Sequence, residues 1–452
     1  MDFQAGTTVT SSAPLAPPLS SVLLAAAQAV AAVQAGRSLT EELAGVEPRL
    51  RPATQAVASH TMRYLGWAEA VAAKLVPRSP GPLPDALLCV ALGLLRTEGE
   101  PLPGMPVYSA HTVVDQAVTT AGAHRGLLSY KGLINGSLRR FLRERQAIEA
   151  SVAPFPQAQW NHPNWWISLL KRDYPDQWRD LLAAANVPAP LTLRVNRRRA
   201  SREQVMAAFA AAGIAAGEIG TMGIVVHQPR PVAQLPGFAE GWWSVQDAGA
   251  QLAAELLPLA DGMRVLDACA APGGKTAHLL ERADIDLLAL DADGVRLERV
   301  TENLARLGLE SPRVTLRAAD AADLDAWWDG TPFDAVLADV PCTASGIVRR
   351  HPDIRWLRRE KDVRKTAELQ TRIADALWRT VKPGGHLLYV TCSIFPAEGR
   401  DQAAAFAARH ADAQALPAPG QLLPVAANAT PEQQHDGFFY ALFAKQSGNR
   451  QE

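Results

Sequence analysis

Two cysteines of this chain stand where apolar, strand-like segments end. Asp339-Val340-Pro341-Cys342 follows one such segment, and Thr391-Cys392-Ser393 follows another. If the two segments are parallel strands of one sheet, both thiols lie at its carboxyl edge, where open α/β sheets bind their ligands. A single cysteine in an apolar run, such as Cys89, is usually a small buried hydrophobe. Two thiols beside one carboxylate indicate chemistry instead.

The reaction that suits such a pair is methylation at carbon 5 of a cytosine. That carbon is unactivated, and a thiolate that adds to carbon 6 makes it reactive towards a methyl donor. A thiol of ordinary pKa is only slightly ionised near neutral pH, so it needs positive surroundings, and Lys275 is a candidate to supply them. Asp339 would hold the Watson–Crick edge of the base. The spacing alone leaves open whether Cys342 or Cys392 attacks.

A glycine-rich run joins the first apolar strand of this region to a helix, the position at which doubly wound sheets bind cofactors. Gly273 and Gly274 let the backbone approach a ligand, and the helix that follows offers unpaired N–H groups. Asp291, at the end of the next strand, would accept both hydroxyls of a ribose, and Asp320, after the third, would reach an adenine edge. The run consists of Cys269, Ala270, Ala271, Pro272, Gly273, Gly274 and Lys275.

Two other kinds of nucleotide-binding site also use a glycine-rich run between a strand and a helix. The run of this chain ends in Gly-Lys-Thr like the phosphate-binding pattern GxxxxGK[ST], but Cys269 stands where the first glycine belongs and Pro272 removes a backbone donor. These departures disfavour a nucleotide triphosphatase. The GxGxxG fingerprint of dinucleotide enzymes is absent, which disfavours a dehydrogenase. A purely structural glycine turn would leave the acidic strand ends unexplained.

The segments that position these residues belong to a multidomain protein, because 452 residues at roughly 100–200 per domain predict two to four domains. We predict a flexible tail at 1–20, an all-α domain at 21–150, a linker with a small α+β module at 151–245, an α/β Rossmann-like domain with a mostly parallel sheet at 246–446, and a tail at 447–452.

Hydrophobic periodicity predicts the individual elements. The predicted helices of the all-α domain are 22–35, 51–76, 86–96, 110–121 and 134–150. In the small module, strands at 191–195 and 223–227 flank a helix at 202–212. The predicted strands of the Rossmann-like domain are 264–267, 287–290, 314–316, 335–338, 386–391 and 437–445.

Charge and cysteine content exclude several classes of protein. The 45 basic and 46 acidic residues give a net charge of -1, so a nucleic-acid surface would have to be local. The four cysteines form no CxxC pair, which argues against a disulfide framework or a zinc site and favours the reducing cytoplasm. We see no apolar run long enough to span a membrane. The local basic clusters are Arg349, Arg350, Arg355, Arg358, Arg359, Lys361, Arg364 and Lys365; Arg139, Arg140, Arg143 and Arg145; and Arg194, Arg197, Arg198 and Arg199.

Three motifs resemble those of the RNA (cytosine-5)-methyltransferases that use S-adenosylmethionine. They are DACAAPGGKT (267–276), LADVPCTASG (337–346) and YVTCSIFPAEG (389–399). Segments upstream resemble the RsmB (Sun or Fmu) subgroup, whose helical domain is NusB-like, so that the resemblance spans about 21–445. These segments are KGLINGSLRR (131–140), HPNWWISLLKRDYP (162–175), LTLRVN (191–196) and GWWSVQDAGAQLAAELL (241–257).

The resemblance implies that Cys392 is the nucleophile and that Cys342 assists release of the methylated base. With Asp339 and Lys275, proposed above from the chemistry of the reaction, the predicted catalytic set is Cys392, Cys342, Asp339 and Lys275. The resemblance places donor binding on 269–275 with Asp291, Asp320 and Asp339. The implied donor is S-adenosylmethionine, with no metal. The implied partner is 16S ribosomal RNA, naked or in an early assembly state, with cytosine 967 as the family's target. No DNA and no membrane partner are expected.

Two alternatives remain at this stage. One is a NusB-like RNA-binding or antitermination factor with an inactive methyltransferase domain, which the intact thiols, Asp339 and glycine run disfavour. The other is a DNA cytosine methyltransferase, which uses a Pro-Cys thiol as nucleophile. The element Thr391-Cys392-Ser393 and the NusB-like N-terminal segments favour RNA over DNA as the substrate.

Overall fold

The computed structural model describes residues 17–96, 104–228, 230–425 and 429–447. The chain forms two compact units, one made of residues 1–61, 68–101 and 106–151, the other of 62–67, 102–105 and 152–452. Most of the tails predicted at 1–20 and 447–452 lies outside the described residues. The first helix begins at Leu19, two residues before the predicted boundary.

Helices make up the regular structure of the first unit, as far as its residues are described. They are α1 (Leu19–Gln34), α2 (Leu39–Ala44), α3 (Arg51–Arg63), α4 (Leu65–Leu75), α5 (Pro82–Arg96), α6 (Ala110–Ala123) and α7 (Lys131–Val152). The chain in α5 is buried almost throughout, including Cys89, which is the buried hydrophobe that its apolar surroundings predicted. This helix is hydrophobic all round because it is central.

One predicted helix, 51–76, is wrong as a single element. It is two helices, because α3 ends at Arg63 and α4 begins at Leu65. At the break the N–H of Trp67 donates to Oδ1 of Asn161 over 2.9 Å. A Cβ on Gly66 would lie 2.3 Å from the carbonyl oxygen of Gln157, so this segment packs directly on the break. The break between α3 and α4 is therefore stabilised by a distant segment of the chain, which hydrophobic periodicity cannot predict.

The second unit opens with short helices and a four-stranded antiparallel sheet. In chain order the elements are α8 (Pro156–Trp160), α9 (Asn164–Asp173), α10 (Trp178–Ala184), β1 (Leu191–Val195), α11 (Arg202–Ala211), β2 (Ala216–Ile219), β3 (Gly223–Val226) and β4 (Trp243–Val245). The strand order is β2-β3-β1-β4. The predicted strands match β1 and β3, and the predicted helix matches α11.

A seven-stranded sheet follows, with helices between most of its strands. Its elements are α12 (Ala248–Leu256), β5 (Arg264–Asp267), α13 (Gly274–Arg282), β6 (Asp286–Asp291), α14 (Gly294–Leu307), β7 (Val314–Ala318), α15 (Leu324–Trp327), β8 (Phe333–Asp339), α16 (Ile354–Leu357), α17 (Glu360–Thr380), β9 (Val381–Thr391), α18 (Arg400–Arg409), β10 (Ala413–Leu422) and β11 (Phe438–Lys445). The order is β10-β11-β9-β8-β5-β6-β7, in which β11 runs antiparallel to its neighbours β10 and β9 and the other neighbouring strands are parallel. The predicted fold class is confirmed.

Strand β10 was not predicted. It contains Pro417, Pro419 and Gly420, and its register shifts between Leu416 and Gly420. Proline cannot donate to a ladder, so it is tolerated because β10 is an edge strand. Apolar clusters cover both faces of the sheet, one with α12, α13 and α14, the other with α17 and α18. This two-sided burial is what a parallel sheet requires.

Candidate active site

The glycine loop, residues 268–273 between β5 and α13, is fixed between two neighbouring strands. The N–H of Ala268 donates to a carbonyl of β8, and the N–H of Ala270 donates to a carbonyl of β6. Gly273 has a φ of 96°, and a Cβ there would lie 3.1 Å from Val300. Both the conformation and the close approach require glycine.

The run proposed for donor binding is brought together here. Cys269, Ala270, Ala271 and Pro272 lie in the loop, Gly273 is the N-cap of α13, and Gly274 and Lys275 begin the helix. Burial raises the pKa of the Cys269 thiol well above its usual value, so this thiol stays neutral. The first turn of α13 provides backbone N–H groups without partners inside the helix.

The two acidic strand ends are placed differently. Asp291 is buried at the end of β6 and accepts the N–H of Ala271 over 3.1 Å and that of Asp293 over 3.0 Å. Asp320 is exposed after β7 and accepts the N–H of Ala322 over 2.9 Å. A carboxylate has about four lone-pair sites, so both retain capacity for further donors. Asp291 also holds the glycine loop against β6.

Asp267, the last residue of β5, is a site residue that the sequence analysis did not single out. Its side chain is fully buried, and Oδ2 accepts the hydroxyl of Thr276 over 2.7 Å. Oδ1 has no hydrogen-bond partner among the described residues. Burial raises the pKa of this carboxyl to about 7. Its position as the first letter of DACAAPGGKT was the available signal.

The two strand-end thiols meet. Cys342 follows β8 and Cys392 follows β9, which are parallel neighbours, and their Sγ atoms are 3.4 Å apart. Both cysteines are free and only partly buried. The hydrogen bond with Cys392 and burial raise the pKa of Cys342 well above its usual value, and the charge of Glu398 raises it further. Cys342 is therefore a neutral thiol at physiological pH.

Lys275 and Asp339 form an ion pair beside the thiols. Nζ of Lys275 donates to Oδ2 of Asp339 over 2.6 Å, and both side chains are largely buried. Although burial alone would lower the pKa of Lys275, the charge and hydrogen bond of Asp339, together with the negative charges of Cys392 and Asp267, outweigh it and the pKa is raised. The negative charge of an ionised Cys392 acts on the pKa of Lys275 in the same direction. Lys275 therefore interacts with both groups.

Glu398 connects the two cysteine loops and was missed by the sequence analysis. Its side chain is fully buried, and its carboxylate accepts hydrogen bonds from the residues that follow Cys342 and Cys392. The donors are the N–H and hydroxyl of Thr343, the hydroxyls of Ser393 and Thr366, and the amide of Gln370. Glu398 is the acidic residue of YVTCSIFPAEG, which was the only local signal.

Beside Cys342 lies a cavity of about 570 Å³, within the size range of small-molecule sites. It is bordered by the N-terminal half of α17, which contributes basic and acidic side chains. Its lining residues are Cys342, Arg358, Asp362, Lys365, Thr366, Glu368, Leu369 and Arg372. A ligand in this cavity would contact the Cys342 thiol directly.

The basic clusters are only partly available as a nucleic-acid surface. Arg349 and Arg350 pair with the buried carboxylate of Asp436, and Arg350 also pairs with Asp247. Arg355 is fully buried. For these arginines the predicted phosphate surface is wrong, because their guanidinium groups hold the fold together. The exposed members are Arg139, Arg140, Arg143, Arg197, Arg198, Arg199, Arg359, Lys361, Arg364 and Lys365.

Within the described ranges, no group of three or more His, Cys, Asp or Glu residues is arranged to hold a metal ion. No helix in the part of the chain that the structure covers is long and apolar enough to cross a membrane.

Comparison with known proteins agrees with this geometry. Residues 254–444 match the family described as 16S rRNA methyltransferase RsmB/F, and residues 162–233 match its ferredoxin-like domain. The Ribosomal RNA small subunit methyltransferase B of Pseudomonas syringae pv. tomato is 42% identical over 442 residues, 93% of this chain and 96% of the relative. The chain belongs to the RsmB/F family. It is an S-adenosylmethionine-dependent RNA methyltransferase.

Other matches extend over similar lengths. The Ribosomal RNA small subunit methyltransferase B of Vibrio cholerae serotype O1 is 40% identical over 427 residues, 92% of this chain and 95% of the relative. The crystal structure of PH0851 superimposes with a TM-score of 0.76 at 24% identity, over 95% of this chain and all of that one, and so shares the fold.

Proposed function

We propose that this protein transfers a methyl group from S-adenosylmethionine to carbon 5 of a cytosine in 16S ribosomal RNA, at the family's position 967. The observation that supports this most directly is the pair of thiols, 3.4 Å apart, at the sheet edge that also bears the glycine loop. Methylation at carbon 5 needs one group to attack carbon 6 and another to assist its departure. Two facing thiols provide both.

The residues at this edge fit S-adenosylmethionine. Gly273 keeps the loop backbone open to a ligand, Asp291 is positioned for ribose hydroxyls, and Asp267 has a buried oxygen with no described partner, suited to a cationic or N–H group. Asp320 lies after β7, towards the adenine in this assignment. When bound, the donor supplies an electrophilic methyl group.

The chain's own residues then do the following. Sγ of Cys392, with Lys275 nearby to favour the thiolate, bonds to carbon 6 of the cytosine. Asp339 holds the base by accepting a hydrogen bond from the exocyclic amine, and a proton taken from solvent at ring nitrogen 3 draws the electrons of the C5–C6 double bond towards that nitrogen as the thiolate adds. After methylation, water takes the carbon-5 proton, the C5–C6 double bond re-forms as the bond between Cys392 and carbon 6 breaks, and ring nitrogen 3 returns its proton to solvent. Cys342 assists this release by donating a hydrogen bond to the departing Cys392 sulfur. Its raised pKa suits a group that carries a proton.

The target base must leave any duplex stack to reach the thiols, so a loop cytosine in unpaired RNA is the expected substrate. The cavity bordered by Cys342 and α17 is where we place the nucleotide next to the target. Arg358, Lys365 and Arg372 line it and would contact phosphates. We place the reaction in the cytoplasm, on naked RNA or an early assembly state.

The test is nucleoside mass spectrometry of unmodified 16S ribosomal RNA after incubation with the purified protein and S-adenosylmethionine. New 5-methylcytidine at one position is expected. Cys392→Ala should abolish transfer, whereas Cys342→Ala should leave a protein–RNA adduct that survives denaturing electrophoresis. Adduct from the Cys392 variant would reverse the two roles, and a wild-type protein that binds the donor but never forms 5-methylcytidine would refute the proposal.

A further inference from the structure

Glu398 is a buried carboxylate that touches neither thiol and yet holds the residue after each of them. Oε1 accepts the N–H of Thr343 over 2.8 Å, and Oε2 accepts the hydroxyl of Ser393 over 2.6 Å. Thr343 follows Cys342 and Ser393 follows Cys392. Because Oε2 also accepts the hydroxyl of Thr343, this oxygen holds both cysteine loops, and the two loops share one carboxylate.

The same carboxylate is anchored to α17. The hydroxyl of Thr366 donates to Oε1 over 2.6 Å, and the amide of Gln370 donates over 3.4 Å. Gln370 also donates to the carbonyl of Pro341, just before Cys342. A buried carboxylate is costly unless it is hydrogen-bonded, so these contacts are mutually dependent. Moving Glu398 would change the position of both loops together.

We propose that Glu398 is a positioning residue: its carboxylate fixes the two cysteine loops against each other so that Cys342 faces Cys392 and can release the methylated base. This inference rests on the proposed function. Besides geometry, the negative charge of Glu398 is one of the causes that raise the pKa of Cys342, after the hydrogen bond with Cys392 and burial. The residue thus acts on the orientation and on the protonation of Cys342.

The variant that tests this is Glu398→Gln, which keeps the size of the side chain but replaces one accepting oxygen with a donating amide. We expect 5-methylcytidine formation to fall about tenfold or more, as for the loss of a general acid or base. The protein–RNA adduct should accumulate at the same time, because attack by Cys392 is less affected than release. Donor binding by calorimetry should change less than twofold. Asp401→Asn, an exposed acid on α18, is the matched control and should change none of these.

A second measurement follows Cys342 itself and needs no turnover. In a Cys392→Ser background, the alkylation rate of Cys342 is measured against pH by peptide mass spectrometry, with and without Glu398→Gln. Removing the negative charge should move the midpoint to lower pH. Because this readout does not depend on RNA, it separates failure of this inference from failure of the proposed function.

Three results would overturn the inference. They are wild-type turnover in Glu398→Gln, joint loss of adduct and turnover in a variant whose circular dichroism is unchanged, and an alkylation midpoint that does not move. If Glu398→Gln does not fold, Thr343→Val replaces it, since it removes one hydroxyl donor and keeps the charge. Adduct should still accumulate in that variant, while its alkylation midpoint should stay close to that of the Cys392→Ser background, because the charge of Glu398 is kept. Loss of adduct from folded Thr343→Val would also count against the inference.

Discussion

The arginines that follow β1 and those that follow the Pro-Cys loop are used in opposite ways. Arg197 and Arg198 lie exposed around a cavity of about 500 Å³, and their side chains have no described hydrogen-bond or ion-pair partner. Arg349 is 3% exposed and Arg355 is fully buried. The first group is available to a polyanion, whereas the second supports the fold beneath the catalytic edge.

The two groups differ in the hydrogen-bond acceptors that lie near each guanidinium group. Arg349 reaches Asp436, 87 residues away, and Arg355 donates to the carbonyls of Asn161 and Ala185. Even within one cluster the use differs, because Arg194 is buried in an ion pair with Glu281 while Arg197, three residues on, is exposed. A cluster of basic residues in the sequence therefore indicates an RNA surface only where its side chains are not paired with acceptors from distant parts of the chain.

The largest effect should come from breaking the buried pairing. Asp436→Ala removes one of the two carboxylates that Arg349 and Arg350 share and leaves them Asp247, so the free energy of unfolding should fall by up to about 3–5 kcal/mol. Urea denaturation followed by circular dichroism measures this. Arg197→Ala is the control and should stay within about 0.5 kcal/mol of wild type. Equal losses in the free energy of unfolding in the two variants would contradict the different roles assigned to buried and exposed arginines.

Asp267 is a buried carboxylate without a described arginine partner, and the pH dependence of stability distinguishes it from Asp436. The pKa of Asp436 is lowered by its arginines although burial opposes this, whereas burial raises the pKa of Asp267 to about 7. Between pH 4 and 7 the folded state thus holds the Asp267 proton more tightly than the unfolded state, and this group's contribution to stability falls as pH rises.

Asp267→Asn removes that dependence. Without donor bound, the variant should be more stable than wild type by about 1–3 kcal/mol at pH 8, and by less at pH 5. Urea midpoints at both pH values measure the change, with Asp401→Asn as control. A gain that does not depend on pH would contradict a raised pKa for Asp267.

Charge reversal at the exposed loop tests its use by RNA. Arg197→Glu with Arg198→Glu should weaken binding of 16S ribosomal RNA about tenfold or more and reduce the salt-dependence slope by about 2, since each phosphate contact contributes roughly one unit. Filter binding across a salt series measures both. Donor affinity and thermal stability should remain unchanged. An unaltered slope would remove this loop from the RNA surface.

The parts of the site that were predictable are those set by short segments. The thiols, Asp339 and the glycine loop follow strands whose ends share one edge, so alternation of elements placed them together. Glu398 and Asp436 were not predictable in this way, because their roles depend on donors from other loops and helices. Likewise, the break between α3 and α4 depends on Asn161, far along the chain.

The smallest effect should come from the part of α17 that carries Lys361 and Arg364. These two residues are exposed beside a cavity that Glu360 also lines, so part of their charge is offset. Lys361→Ala with Arg364→Ala should weaken RNA binding less than about threefold and change the salt slope by less than about 1. The double variant of Arg197 and Arg198, assayed in parallel, sets the scale. A loss from α17 as large as from that loop would place the main phosphate path along α17, and the exposed arginines after β1 would then be solvated charges with no bound strand.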